Sequence, residues 1–116
     1  MSVHSAQTQA KLQIMMQYIH DNYSGQITLD DIARTVLISK SSVLNIFRTY
    51  LHTSPINYVV EYRLKRASKL LVDTENSVCT IAHETGFENI GYFCRRFKKL
   101  YGVTPIYYRN HCHSAE

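Results

Sequence analysis

The side chains with the clearest chemistry fall into two groups of similar form. Arg95, Arg96, Lys98 and Lys99 crowd one short stretch, with Tyr92 just before them. Ser41, Asn45 and Arg48 stand at i, i+4 and i+7, one face of a helix. A guanidinium presents paired donors to planar edges and an amide a donor beside an acceptor, while charges on long stems suit anionic oxygens. Other constellations fail. "HETGF" at residues 83–87 begins like a zinc-protease helix, but Phe87 stands where the second histidine is required. Cys79 and His83 fit one helix face, yet two ligands do not make a zinc site. "HCH" at 111–113 reads as a frayed tail before it reads as a metal site. No nucleophile comes with a base and an orienting acid, so the residues argue against an enzyme, and none asks for a cofactor.

The elements that must position these groups are bounded by composition. A chain of 116 residues suits one domain with a modest core, or two small ones sharing one. With 45% apolar and 19% charged residues the balance is that of an ordinary globular protein. No apolar run is long enough to span a bilayer and no signal peptide is visible, so no membrane partner is expected. The three cysteines, Cys79, Cys94 and Cys112, are odd in number and match no zinc spacing; reduced thiols in the cytoplasm are expected. The net charge of +4 is distributed in blocks. Residues 32–72 carry seven bases against Glu61, and residues 89–110 carry five bases and no acid. Between them, residues 73–88 hold only acids: Asp73, Glu75, Glu84 and Glu88. Two basic blocks suggest a polyanionic partner.

Periodicity predicts helices only. Leu12, Met15, Met16, Ile19 and Tyr23 mark an amphipathic helix over about 8–23. Thr28 with Asp31 forms an approximate capping box for a short helix carrying Leu29, Ile32, Ala33 and Val36. Ser39 is the next N-cap, ahead of Val43, Ile46, Phe47 and Tyr50. Ser54 and Pro55 then start the longest helix, roughly 55–72, with a stripe of Ile56, Val60, Leu64, Ala67 and Leu71. From there the order repeats. Ile81-Ala82 echoes Ile32-Ala33, Phe97 echoes Phe47, and "TPIYY" echoes "SPINY". In the second copy Tyr92, Arg95, Arg96 and Lys99 lie opposite Phe93, Phe97 and Leu100. The expected organisation is a flexible segment over 1–8, a first unit over 9–54, a linker helix over 55–72, a second unit over 73–110 and a flexible tail over 111–116. The fold class is all-α: two helix-turn-helix units and a long linker helix, about seven helices in all.

A short helix, a tight turn and a second helix leave the outer face of that second helix free for a DNA major groove. The alternative is a helical protein-interaction module without DNA binding. The stretch "RLKRASKLLVDTENSVCTIAHETGFENIGYFCRRFKKLYGVTPIYYR" resembles the signature region of AraC/XylS-type transcription regulators. The resemblance rests on Arg66-Ala67, Leu70-Leu71, Ile81-Ala82, Gly86-Phe87, Tyr92-Phe93, Arg95, Phe97-Lys98, Gly102, Thr104-Pro105 and Tyr108-Arg109. It extends more loosely to Ile32-Ala33, Ser39, Phe47-Arg48, Pro55 and Tyr58, covering about residues 9–110.

The resemblance implies that two recognition helices enter successive major grooves of double-stranded DNA. It places base reading on Ser41, Leu44 and Asn45, and on Ile90, Gly91, Tyr92, Arg95 and Arg96. Asn45 can pair with adenine and an arginine with guanine, while Leu44 and Ile90 either touch a thymine methyl or pack inside the protein. Gly91 has no side chain and can only permit close approach. Lys40, Arg48, Lys98 and Lys99 are better phosphate partners than base readers. The resemblance further implies a cytoplasmic, nucleoid-associated bacterial protein, RNA polymerase as a partner if it activates, and an effector only through a separate domain. One departure stands out. Gly86 occupies the turn of the second unit, and Leu37 holds that position in the first. The expectation is a costly left-handed leucine, a differently shaped turn, or a looser first unit.

Overall fold

The structure, a computed structural model, describes residues 5–111. Among them are seven helices and no strand: α1 Ala6–Asn22, α2 Leu29–Thr35, α3 Lys40–Leu51, α4 Pro55–Asp73, α5 Val78–Glu84, α6 Ile90–Tyr101 and α7 Pro105–His111. Apart from His111, the expected tail lies outside the described residues, as do residues 1–4 of the expected flexible start. The chain divides into two compact units, one ending at Val60 and the other starting at Glu61, so that α4 contributes to both.

Each helix starts where a short polar side chain can satisfy its first orphan amides. Ser5 accepts from Thr8 N at 3.1 Å, which starts α1 at Ala6, earlier than periodicity alone indicates. Thr28 and Asp31 form a complete capping box. Ser39, Ser77 and Asn89 cap α3, α5 and α6 through the backbone amides of Ser42, Thr80 and Tyr92. Ser54 and Thr104 serve α4 and α7 in the same way, each ahead of a buried proline.

In the first unit α1, α2 and α3 close over Leu12, Met15, Ile19, Ile32, Ala33, Val43, Ile46 and Phe47, with Val59 of α4. The half-buried Tyr58 packs edge-on against Phe47 and shares a 2.8 Å hydrogen bond with His20. In the second unit Leu64, Ala67, Leu71, Ile81, Ala82, Phe87, Phe93 and Phe97 are buried. Phe87, Phe93 and Phe97 form a chain of tilted rings, extended by Tyr101 and Tyr108. Arg109 of α7 donates to the carbonyls of Leu71, Thr74 and Asn76, closing the C-terminus of α4.

Two apolar assignments need correction. Ile56 is 46% exposed, because Pro55 and Val59 form the buried face at the start of α4. Leu100 is 42% exposed, because Tyr101 takes the inward place, 4.6 Å from Phe97 with its hydroxyl on Ser68.

The two turns are built alike. Leu37 has φ 58° and Gly86 φ 100°, both left-handed. In each turn the amide of the next residue reaches back to the helix: Ile38 N to Ala33 O at 3.2 Å, and Phe87 N to Ala82 O at 2.9 Å. Leu37 therefore adopts the shape that glycine takes in the second unit, with its side chain 89% exposed.

Candidate nucleic-acid interface

α3 buries Val43, Ile46 and Phe47 and turns the opposite face outward. That face carries Ser41, Leu44, Asn45 and Arg48, all exposed. Leu44 thus lies on the outer stripe, at 37% exposure, and not inside the core. Lys40, at the first helical position, lies 3.7 Å from Asp30 of α2, so its charge is shared with a surface acid. Arg34 pairs with Asp31 at 2.8 Å. The capping bonds from Thr28, first its backbone N–H and then its hydroxyl, hold the Asp31 carboxyl below its ordinary value.

α6 repeats the plan with a stronger charge. Phe93 and Phe97 are buried, while Ile90, Tyr92, Arg95, Lys98 and Lys99 are exposed. Gly91 and Arg96 are half-buried. Arg96 Nη1 donates to the Tyr92 hydroxyl at 3.0 Å. The guanidinium carbons of Arg95 and Arg96 lie 6.0 and 5.8 Å from the centre of the Tyr92 ring. The ring is also near Phe87, 6.2 Å between centres. A helix face of this kind presents planar donors and positive charge at once, the chemistry of base edges and phosphates. No group of three or more His, Cys, Asp or Glu residues that could hold a metal occurs among the described residues, and Cys79 and Cys94 are free thiols. No described helix is long and apolar enough to cross a membrane.

Comparison with known proteins decides the family. The helix-turn-helix domain family matches residues 32–111, from the second helix to the last. The chain is an AraC-type helix-turn-helix domain. The crystal structure of a transcriptional regulator from Chromobacterium violaceum, of the AraC-type DNA-binding-domain proteins, superposes with a TM-score of 0.89. It is 29% identical and covers 97% of this chain and 100% of its own. The raffinose operon transcriptional regulatory protein RafR of Pediococcus pentosaceus is 32% identical over 96 residues, 83% of this chain and 35% of that protein. The HTH-type transcriptional regulator YdeC of Bacillus subtilis, uncharacterised, is 31% identical over 99 residues, 85% of this chain and 34% of its own. The AraC-type domain described here therefore spans about a third of the length of the curated relatives it matches.

Within this AraC-type domain, two side chains around the candidate interface had no part in the sequence-based site. Arg109 holds the connection between α4 and α5, and its partners are carbonyls that no local motif reveals. Arg63, on α4, is half-buried. Burial lowers its guanidinium below the ordinary value, and the negative Glu88 opposes that shift. Only the spacing of Tyr92 with Arg95 and Arg96, i+3 and i+4, carried a readable signal of contact.

Proposed function

We propose that this chain is the DNA-reading part of a transcription regulator. It binds duplex DNA sequence-specifically and sets α3 and α6 into successive major grooves. The observation that carries this reading is the repetition. Two capped helices each follow a left-handed turn, and each keeps a polar or basic face exposed over a fully buried aromatic one. A bundle that served only to bury apolar surface has no need to build the same outward face twice. Base reading falls to Ser41, Leu44 and Asn45 on α3 and to Ile90, Gly91, Tyr92, Arg95 and Arg96 on α6. Lys40, Arg48, Lys98 and Lys99 take phosphates. In the full protein, RNA polymerase is the partner if the regulator activates, a small-molecule effector acts only through a separate domain if one exists, and the setting is the bacterial cytoplasm at the nucleoid.

The test is a binding selection from randomised duplexes, followed by profiles for single variants. Arg95→Ala and Asn45→Ala should each blur one cluster of base pairs, the clusters about 10 base pairs apart. Each loss of a bidentate contact should cost about 1–3 kcal/mol at its own position. Lys98→Ala should weaken all sequences equally. Log K should fall against log salt with a slope of about −0.9 per neutralised phosphate. A selection that enriches no sequence, with no salt dependence, replaces this reading with a protein-interaction module.

A further inference from the structure

Base-reading arginines face a difficulty: their long side chains lose rotamer freedom when they dock. On α6 that freedom is already restricted in the unbound protein. Tyr92 stands one turn before both arginines, Arg95 at i+3 and Arg96 at i+4, where helical side chains meet. Its hydroxyl accepts from Arg96 Nη1 at 3.0 Å, and its ring lies 6.0 Å from the Arg95 guanidinium carbon. Gly91 lies next to this cluster. A Cβ there would stand 3.5 Å from Arg95 Nη1 and 3.2 Å from the Oδ1 of Asn89, the side chain that caps α6. The approach to Arg95 is ordinary contact, and the tight one is to the Asn89 cap, so the glycine gives room chiefly to the cap of α6. Phe87 lies beside the Tyr92 ring at 6.2 Å between centres.

We infer that Tyr92 is a positioning residue for the two arginines of α6, its ring holding Arg95 and its hydroxyl holding Arg96. This rests on the DNA-reading role proposed above but assigns Tyr92 a different part in it: Tyr92 acts through Arg95 and Arg96.

The ring and the hydroxyl can be separated. In the free 116-residue chain, the side-chain protons of Arg95 and Arg96 should show upfield ring-current shifts by NMR. Tyr92→Phe should keep those shifts while speeding exchange of the Arg96 guanidinium protons. Tyr92→Leu should abolish the shifts. On the selected duplex, Tyr92→Phe should weaken binding about 2- to 10-fold, as loss of one hydrogen bond does. That loss should vanish in an Arg96→Ala background. Tyr92→Leu should weaken Arg95-governed positions a further 2- to 5-fold, roughly a surface cation–π contribution. That loss should vanish with Arg95→Ala. Additive double variants, or unshifted arginine protons in the native chain, overturn the proposal. A native chain that shows the shifts but enriches no duplex supports the scaffold and overturns only the DNA reading.

Discussion

Replacing Leu37 with glycine should stabilise the protein, although it deletes a large apolar side chain. The backbone there has φ 58°, which costs a non-glycine residue about 1–2 kcal/mol. The usual counterweight to a leucine deletion is lost burial, but Leu37 is 89% exposed and surrenders almost none. What remains on the other side is the extra freedom of glycine in the unfolded chain, about 0.5–1 kcal/mol. The net gain is about 0.5–1 kcal/mol, or about 2–5 °C in melting midpoint for a domain of this size. Urea unfolding followed by circular dichroism should show a higher midpoint with an unchanged m value. Gly86→Ala, at φ 100°, should move the midpoint the other way by about 1–2 kcal/mol. A lower midpoint for Leu37→Gly would refute this reasoning, because the leucine would then be contributing more than its backbone costs.

Other substitutions probe the supports of the site. Arg109→Met keeps the aliphatic stem but removes the donors to Leu71, Thr74 and Asn76, and should cost about 2–3 kcal/mol by thermal unfolding. Arg109→Lys should recover little of that, since a single ammonium cannot reproduce the planar fork. Asp31 has a folded pKa below its unfolded one, so its contribution to stability is present above the ordinary carboxylate value and lost as pH falls through the folded value. Asp31→Asn should accordingly flatten the acid limb of a stability–pH curve. Replacing Asp73 and Glu75 with Asn and Gln should leave sequence preference alone and raise non-specific DNA affinity, because the acidic connection acts as a spacer that repels phosphate; a clear fall in affinity with intact circular dichroism would reverse that assignment.

The punctuation of this fold was readable because it is local. A hydroxyl or amide side chain, followed by a proline or an apolar period of 3.6, states where a helix starts without reference to distant residues, and Thr28, Ser39, Ser54 and Thr104 all cap as their surroundings indicate. The outer faces of α3 and α6 were readable for the same reason, since burial of Phe47, Phe93 and Phe97 fixes which side points away. What escaped the sequence depends on distant residues. Leu100 fits the apolar stripe by spacing, yet Tyr101 wins the inward place through Ser68 on another helix. Lys40 reads as an available charge until Asp30 is brought beside it.

The two turns show where local reading stops. By sequence, leucine in place of glycine leaves a left-handed leucine, a differently shaped turn or a looser unit open, and the structure takes the left-handed leucine. The real difference is one of length: residues 36–39 join α2 to α3, whereas residues 85–89 join α5 to α6. The longer turn carries Glu88 immediately before the cap Asn89, and the negative charge of Glu88 opposes the effect of burial on Arg63 of α4. The helix that follows carries the Tyr92–Arg95–Arg96 cluster. The first unit has no such residue in its shorter turn and presents serine, asparagine and leucine. The outer face of α6 clusters arginines about Tyr92, whereas that of α3 sets a single Arg48 beside small neutral side chains. If both helices read DNA as proposed, the second unit should supply the stronger base preference and the first the milder one.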